Sequence, residues 1–517
     1  MIKENKETKL TKQTVFKQIK ERWYGQGFNC TPLILIPYGD TFFNLVPSIN
    51  VPAKHIIYDF KEEYGKMYYS LHDLEAMSRV ILEKLKKDKD FMKKIEKDYQ
   101  ENNIKPLKLF ADIRKLRFSK KGLSALSNEE LIEKLNNVFS EAAKTVGQSH
   151  IIEPFSLTTD IMIRDMLSKY VPDKNKLNIY LSALTNPAEK SFINHREEDL
   201  YRVSKLKYET DEEKQLKEKA MEEHINKFFW VRNTYSGRGD ITIETVKEEI
   251  KNLNYEEADY DEIRKNKQKL IQELRLDHEL VYLLELCDFI SLWQDKRKEN
   301  IFRGIHAIET LLEELAIRLN IEHKLLRYIS YRKEITMELF EGKIKIDGIR
   351  RDIKKELEIR RKGCIFYTTP DDELILVDRD DNNNDYAAFH KQMNEKDKNM
   401  AEREDLHGMC ASIGVAVGRA RICKKIESIR QFKQGEVLVA SMTRPEFLPA
   451  MKKASAIVTD EGGLTCHAAI VSRELGIPCI IGTKTATTDF KDGDLLEVKA
   501  NHGIVRMLKK CELNDDF

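Results

Sequence analysis

Glycine is spread unevenly along this chain, and that unevenness is the strongest constraint on its fold. Ten of the 22 glycines lie after position 400, in less than a quarter of the 517 residues. Glycine permits the tight turns that join short strands, and it weakens the interior of a helix. The long glycine-poor part is therefore expected to be mostly helical, and the glycine-rich end to alternate β-branched strands with turns. A chain of this length exceeds a single hydrophobic core. The expected architecture is multidomain, with a large, mostly α-helical domain followed by a C-terminal β/β/α domain.

Residues 1–115 read as a mixed α/β segment. In it, the apolar, proline-punctuated stretch Thr31–Tyr38, continued by Phe42–Val51, reads as strand or loop, and a lysine-rich helix pattern runs from Leu71 to about Tyr99. Residues 116–370 carry an almost continuous helix pattern. Ser127 and Glu130 there have the spacing of a capping box. Residues 280–321 repeat apolar side chains every three or four positions, as a buried helix face does. Residues 371–405 are acidic, asparagine-rich and polar apart from a short strand at Leu374–Val377, and read as an exposed connector to a domain at 406–510. No internal repeat is visible.

Charged residues make up 34% of the chain, yet the net charge is +1. That balance gives no electrostatic reason to expect nucleic acid or an anionic membrane as partner. The longest apolar stretches, Pro32–Pro37 and Ile477–Ile481, fall far short of a membrane span. The polar, lysine-rich start has no apolar signal core, and the eight cysteines are scattered without a paired spacing. A cytoplasmic protein with reduced thiols is expected. His55, His72, His195 and His306 show no metal-ligand spacing, and neither a Walker loop nor a nucleophile elbow is present. Asn29-Cys30-Thr31 is a glycosylation sequon and Arg238-Gly239-Asp240 an adhesion-like tripeptide, and neither means anything in a cytosolic chain.

The chemistry is concentrated in Val437–Thr483. Val437–Ala440 and Ala456–Thr459 read as short strands, with a helical turn at Pro449–Lys453 between them. Glu461-Gly462-Gly463 makes a flexible turn. A helix follows, with Thr465 as its N-cap and Gly476 as its terminator, and Pro478 leads into a strand at Cys479–Ile481. Strand, glycine loop, helix and strand together handle phosphate well, because the loop lets backbone approach an anion and the helix end supplies free amides. His467 stands in the first helical turn, where a neutral imidazole nitrogen can attack a phosphoryl group. On spacing alone, a histidine near a helix start is more often an ordinary surface residue.

The run TDEGGLTCHAAIVSRELGIPCIIGT closely resembles the signature of the mobile phosphohistidine domain in the phosphoenolpyruvate-utilising enzyme family, as in phosphoenolpyruvate synthase, pyruvate phosphate dikinase and rifampin phosphotransferase. The resemblance rests on Gly462, Gly463, Thr465, His467, Ala468, Ala469, Arg473, Glu474, Gly476 and Pro478, with Cys466 at a serine position and Ser472 at an alanine position. The flanking runs GEVLVASMTRPEF and DGDLLEVKANHGIVRML extend it over about 406–508. It implies that the C-terminal domain is a swivelling phosphohistidine domain in which His467 carries the phosphoryl group. Thr465, Gly462, Gly463 and Cys466 would form the loop around it, and Arg473 would add charge.

Family members carry an ATP-grasp domain before this module and a pyruvate-binding barrel after it, and neither pattern is found here. The resemblance therefore implies ATP and Mg2+ on a separate ATP-grasp protein, together with a small-molecule acceptor. Residues 120–365 loosely resemble the helical domain of rifampin phosphotransferase and its relatives. That likeness offers Arg232, Arg238, Arg297 and Arg303 as acceptor-site candidates, against ordinary ion pairing. The implied function is the phosphocarrier and acceptor component of a split ATP-dependent dikinase-type phosphotransferase. The alternative is a non-catalytic binding or regulatory protein that keeps a swivelling domain.

Overall fold

The computed structural model describes residues 10–511 except 20, 22, 45–48, 50–52, 120–121, 254, 256–258, 347, 379–383, 398–404, 425 and 465. The chain forms two compact units, each assembled from separated stretches. The first comprises Met1–Pro154, Tyr235–Gly237 and Arg303–Ala401, and the second Phe155–Thr234, Arg238–Phe302 and Glu402–Phe517. This division differs from the boundaries expected near 115, 370 and 405. It is drawn by pairings between residues hundreds of positions apart, which no local periodicity reports.

The first unit is built on β1 (Trp23–Asn29), β2 (Ile56–Lys61) and β3 (Tyr64–Ser70), a hairpin of β4 (Lys343–Ile346) and β5 (Ile349–Asp352), and β6 (Cys364–Thr368) with β7 (Glu373–Val377). Five strands form an antiparallel sheet in the order β1-β3-β2-β6-β7, with Tyr58 opposite Phe366 where β2 meets β6. The stretch expected as strand or loop is a helix, Pro32–Gly39. Proline stands in its first turn, where the missing N–H costs nothing, and all eight residues are buried, so no period betrays the helix. Asp40–Asn44 continue it as a 3-10 helix, and most of the rest of Phe42–Val51 lies outside the described residues. The lysine-rich pattern divides into Leu71–Lys87 and Phe91–Arg117. Ser127 and Glu130 do form the capping box that opens Asn128–Lys144.

The expected connector is mostly structured. β7 pairs with β6, and the helix Asp385–Asp397 buries Tyr386 and Phe389 in the same cluster as Ile57, Ile365 and Leu376. Two apolar anchors diluted among acids and asparagines were enough to dock this helix. Deeper in the unit, Arg360 is fully buried and pairs with Glu334 at 2.7 Å and 2.8 Å, and Glu356 lies 3.7 Å from its Nε. A second buried network gathers Tyr58, Thr368, Tyr331 and Arg332 around the Asp40 carboxylate at 2.7–3.0 Å.

The second unit joins a helical part to a sheet of eight strands. Its helices include Ile152–Ser168 from Phe155 onward, Lys174–Leu184 and the first 25 residues of the 42-residue helix His278–Leu319. The strands are β8 (Asp405–His407), β9 (Met409–Ser412), β10 (Val415–Ile422), β11 (Val437–Ala440), β12 (Ala456–Thr459), β13 (Cys479–Ile481), β14 (Leu495–Lys499) and β15 (Ile504–Lys509). Their order is β8-β15-β14-β10-β11-β12-β13-β9, parallel from β10 to β13 and antiparallel elsewhere. β11 and β12 are buried along their whole length, as continuous apolar strands in a parallel sheet are. Among the described residues, no helix is long and apolar enough to cross a membrane.

Candidate functional site

His467 opens the helix His467–Glu474, which follows the glycine loop after β12. Two features of the loop require glycine. Gly462 has φ of +120°, a conformation that other residues rarely adopt. A Cβ on Gly463 would overlap the carboxylate of Asp160, a residue of the Ile152–Ser168 helix. The N-cap is Cys466, whose Sγ accepts from the Ala469 N–H at 3.4 Å, in place of the expected Thr465, which lies outside the described residues. The far end closes as expected at Gly476 (φ +63°). Its N–H bonds the Arg473 carbonyl and the Ile477 N–H bonds that of Ser472, a Schellman ending.

The His467 ring is buried, with 7% of its surface exposed, and its Nδ1 lies 2.8 Å from Thr443 Oγ1 in the turn after β11. Nε2 is buried without a hydrogen-bond partner among the described residues. With the proton on Nδ1, the ring donates to Thr443 and Nε2 keeps its free lone pair. Burial first, and then the positive charges of Lys298 and Arg444, hold the imidazole well below the ordinary histidine range. The ring is thus neutral at physiological pH, with one nitrogen free of hydrogen bonds among the described residues and two cations within electrostatic reach. A phosphoryl group gained at Nε2 would bring negative charge where those cations already stand.

Lys298 comes from the helical part, on the 42-residue helix. Burial, helped by Arg297 and Arg444, pulls its ammonium down against the opposing pull of Asp295. Asp295 stands three residues earlier, and its Oδ2 accepts the Phe192 N–H at 3.1 Å. Glu446, two residues after Arg444, is raised by burial against both cations, and its Oε2 has no partner among the described residues. Among the described residues no group of histidine, cysteine or acid side chains is placed to hold a metal.

The residues expected from sequence are only partly brought together. Gly462, Gly463, Cys466 and His467 form one loop and helix start. Arg473 is spent on backbone: its Nε donates to the Ala411 carbonyl at 2.6 Å, and one terminal nitrogen donates to those of Leu464 at 2.8 Å and Thr185 at 3.0 Å. Arg232 pairs with Glu249 and Arg238 with Asp240. Arg303 belongs to the first unit and stands within electrostatic reach of Arg114. Of the arginine candidates, Arg297 alone acts on the site, through its neighbour Lys298.

Sequence reasoning missed Thr443, Arg444, Lys298 and Asp160. The first two stand inside the run that carried the resemblance, without an assigned role. Lys298 had a usable signal, since it shares a helix face with Asp295 three residues away whereas Arg297 does not. A depressed histidine pKa also predicts the pH response of this site. The initial rate of phosphoryl labelling at His467 should stay level from pH 7.5 down to pH 6, without the half-loss near pH 6.5 that an ordinary imidazole would give. A rate that halves near pH 6.5 would show an exposed, ordinary ring.

Residues 432–503 match the family model described as PEP-utilising enzyme, mobile domain. The probable phosphoenolpyruvate synthase of Methanothermobacter thermautotrophicus is 38% identical over 181 residues, covering 34% of this chain and 25% of the relative. That of Archaeoglobus fulgidus is 46% identical over 133 residues, 24% of this chain and 18% of the relative. The phosphoenolpyruvate synthase of Pyrococcus furiosus is 52% identical over 100 residues, 19% of this chain and 12% of the relative. The chain thus spans a quarter or less of the length of these relatives. Over that C-terminal part the chain is similar to the mobile domain of phosphoenolpyruvate-utilising enzymes, and the matches support a role related to phosphoryl transfer.

Proposed function

We propose that the chain is the phosphocarrier and acceptor component of an ATP-dependent dikinase-type phosphotransferase whose ATP site lies on a separate ATP-grasp protein. His467 Nε2 takes the β-phosphoryl group of ATP, AMP leaves, and the γ-phosphate departs to water as inorganic phosphate. Thr443 holds the Nδ1 proton and fixes the tautomer. Lys298 and Arg444 balance the charge of the phosphoryl group, and Lys298, with Arg297 beside it, belongs to the surface that receives a small-molecule acceptor. ATP and Mg2+ belong to the partner, and the metal there would neutralise the phosphates during the first transfer.

The observation that carries this reading is the buried, neutral His467, whose Nε2 has no hydrogen-bond partner among the described residues and whose ring lies within electrostatic reach of Lys298 and Arg444. The test is labelling of the purified chain by ATP carrying the label on its β-phosphate, with and without a soluble extract of the source organism. The expected product is labelled protein that loses its label in acid, keeps it in base, and forms only with the extract. If no label appears although an active ATP-grasp partner is shown to be present, the domain is a binding module and this function is wrong.

A further inference from the structure

The helical part grips one residue of the histidine loop, Leu464, in three ways. The fully buried Leu464 side chain sits in a cluster with Ile163, Leu181, Leu280 and Cys287. Its carbonyl accepts from Arg473, which also donates to the Thr185 carbonyl after the Lys174–Leu184 helix. Its N–H donates to Asp160 Oδ2 at 2.6 Å. The first two holds are apolar or permanently charged. The third depends on a carboxyl that is itself 4% exposed. Asp160 Oδ1, moreover, has no partner among the described residues.

We propose that Asp160 is a proton-controlled latch, which holds the His467 loop against the helical part while its carboxyl is protonated and loosens it on ionising. The protonated carboxyl still accepts the Leu464 N–H through its carbonyl oxygen. The ionised one strands charge in an apolar socket with a single backbone donor. The other charged or titratable groups facing it are Arg473 and Cys466, from the His467 helix and its cap, and Cys287, from the 42-residue helix. Arg473 donates to three carbonyls through Nε and one terminal nitrogen, and its other terminal nitrogen has no partner among the described residues. It reaches Asp160 by charge alone, without an ion pair among the described residues.

The sign follows from linkage. Burial pushes the docked carboxyl up to about 7, against the smaller lowering by the Leu464 N–H and Arg473. Undocked and in water, it would return to the ordinary range near 3.9. The docked form therefore binds the proton more tightly, so docking weakens as pH rises from about 4 to about 7 and then levels off. Between pH 6 and pH 8 the docking constant should fall about tenfold. The purpose of the latch rests on the phosphocarrier reading, because a carrier domain must leave one site to reach another. Its existence is tested without any phosphoryl transfer.

The experiment is hydrogen–deuterium exchange on the full chain at pH 6 and pH 8, with fragmentation that isolates the Leu464 amide and each rate divided by its intrinsic chemical rate. Protection of Leu464 should fall about tenfold from pH 6 to pH 8, while amides of β11 and β12 stay unchanged as a reference for global stability. Asp160→Asn keeps an oxygen acceptor for the Leu464 N–H and removes the titration, so its Leu464 protection should be high and equal at both pH values. Asp160→Ala should be poorly protected at both. Equal protection of the wild-type amide at the two pH values would overturn the latch, as would a tenfold fall that persists in Asp160→Asn. Either result leaves the labelling test of His467 untouched.

Discussion

Phosphoryl label on the chain should vanish when His467 is replaced by alanine, with a loss of at least about 10^3-fold, because the variant lacks the imidazole nitrogen that takes the phosphoryl group. The helix should survive the change, since Cys466 caps it and the Leu464 cluster anchors the loop before it. The informative contrast is Thr443→Val. This variant keeps the ring but removes the oxygen 2.8 Å from Nδ1, freeing the proton to settle on Nε2, where it blocks attack. Labelling should slow roughly tenfold, the worth of one hydrogen bond of this kind, and Thr443→Ser should recover it. Both are read as initial rates of acid-labile label with the partner in excess. Persistent label in His467→Ala would move the carrier role to another residue, and an unaffected Thr443→Val would mean that the tautomer is set by something else.

The largest effect on stability is expected at Arg360, far from this chemistry. Its guanidinium is fully buried, and the Glu334 and Glu356 carboxylates beside it are each 4% exposed. Arg360→Met should lower the unfolding free energy by about 3–5 kcal/mol, most of it the cost of leaving the buried Glu334 carboxylate without its cation, while Glu356 keeps Arg351 at 3.6 Å. The double variant Arg360→Met/Glu334→Gln should recover part of that loss, because it removes one stranded charge. Denaturant midpoints at constant slope measure both. A loss below about 1 kcal/mol for the single variant would mean that the pair sits in a wetter place than its burial indicates.

The sequence spoke clearly where structure is local. The strands Val437–Ala440, Ala456–Thr459 and Cys479–Ile481 follow from short β-branched runs between glycines and proline, and each has the bounds expected of it. The Ser127–Glu130 cap is equally local. Legibility failed where burial removes the pattern, as in the helix Pro32–Gly39, which is apolar on every side. It failed again where a few buried residues anchor a polar segment, as Phe389 does for Asp385–Asp397. The site divides along the same line. His467 and its glycines are contiguous and were found, whereas Lys298 and Asp160 reach the loop from 169 and 304 positions away. The glycine census was right about the helical bulk of the chain and silent about the antiparallel sheet of the first unit. Two of its connections, β2 to β3 and β6 to β7, are short turns made without glycine, with Glu62 at φ +54° in the first, and the other two run through helices.

The interrupted second unit also sets a timetable for the newborn chain. Its helical residues, ending at Phe302, leave the ribosome before the stretch that begins at Glu402, and the roughly 100 residues between them take about 5–20 s to synthesise. Throughout that interval the apolar socket built from Ile163, Leu181 and Leu280 waits without Leu464, the side chain that fills it. An unfilled socket of this kind is a surface that chaperones recognise and on which unfinished chains stick to one another. Translation speed across residues 303–401 therefore sets how long this apolar socket stays open on the growing chain.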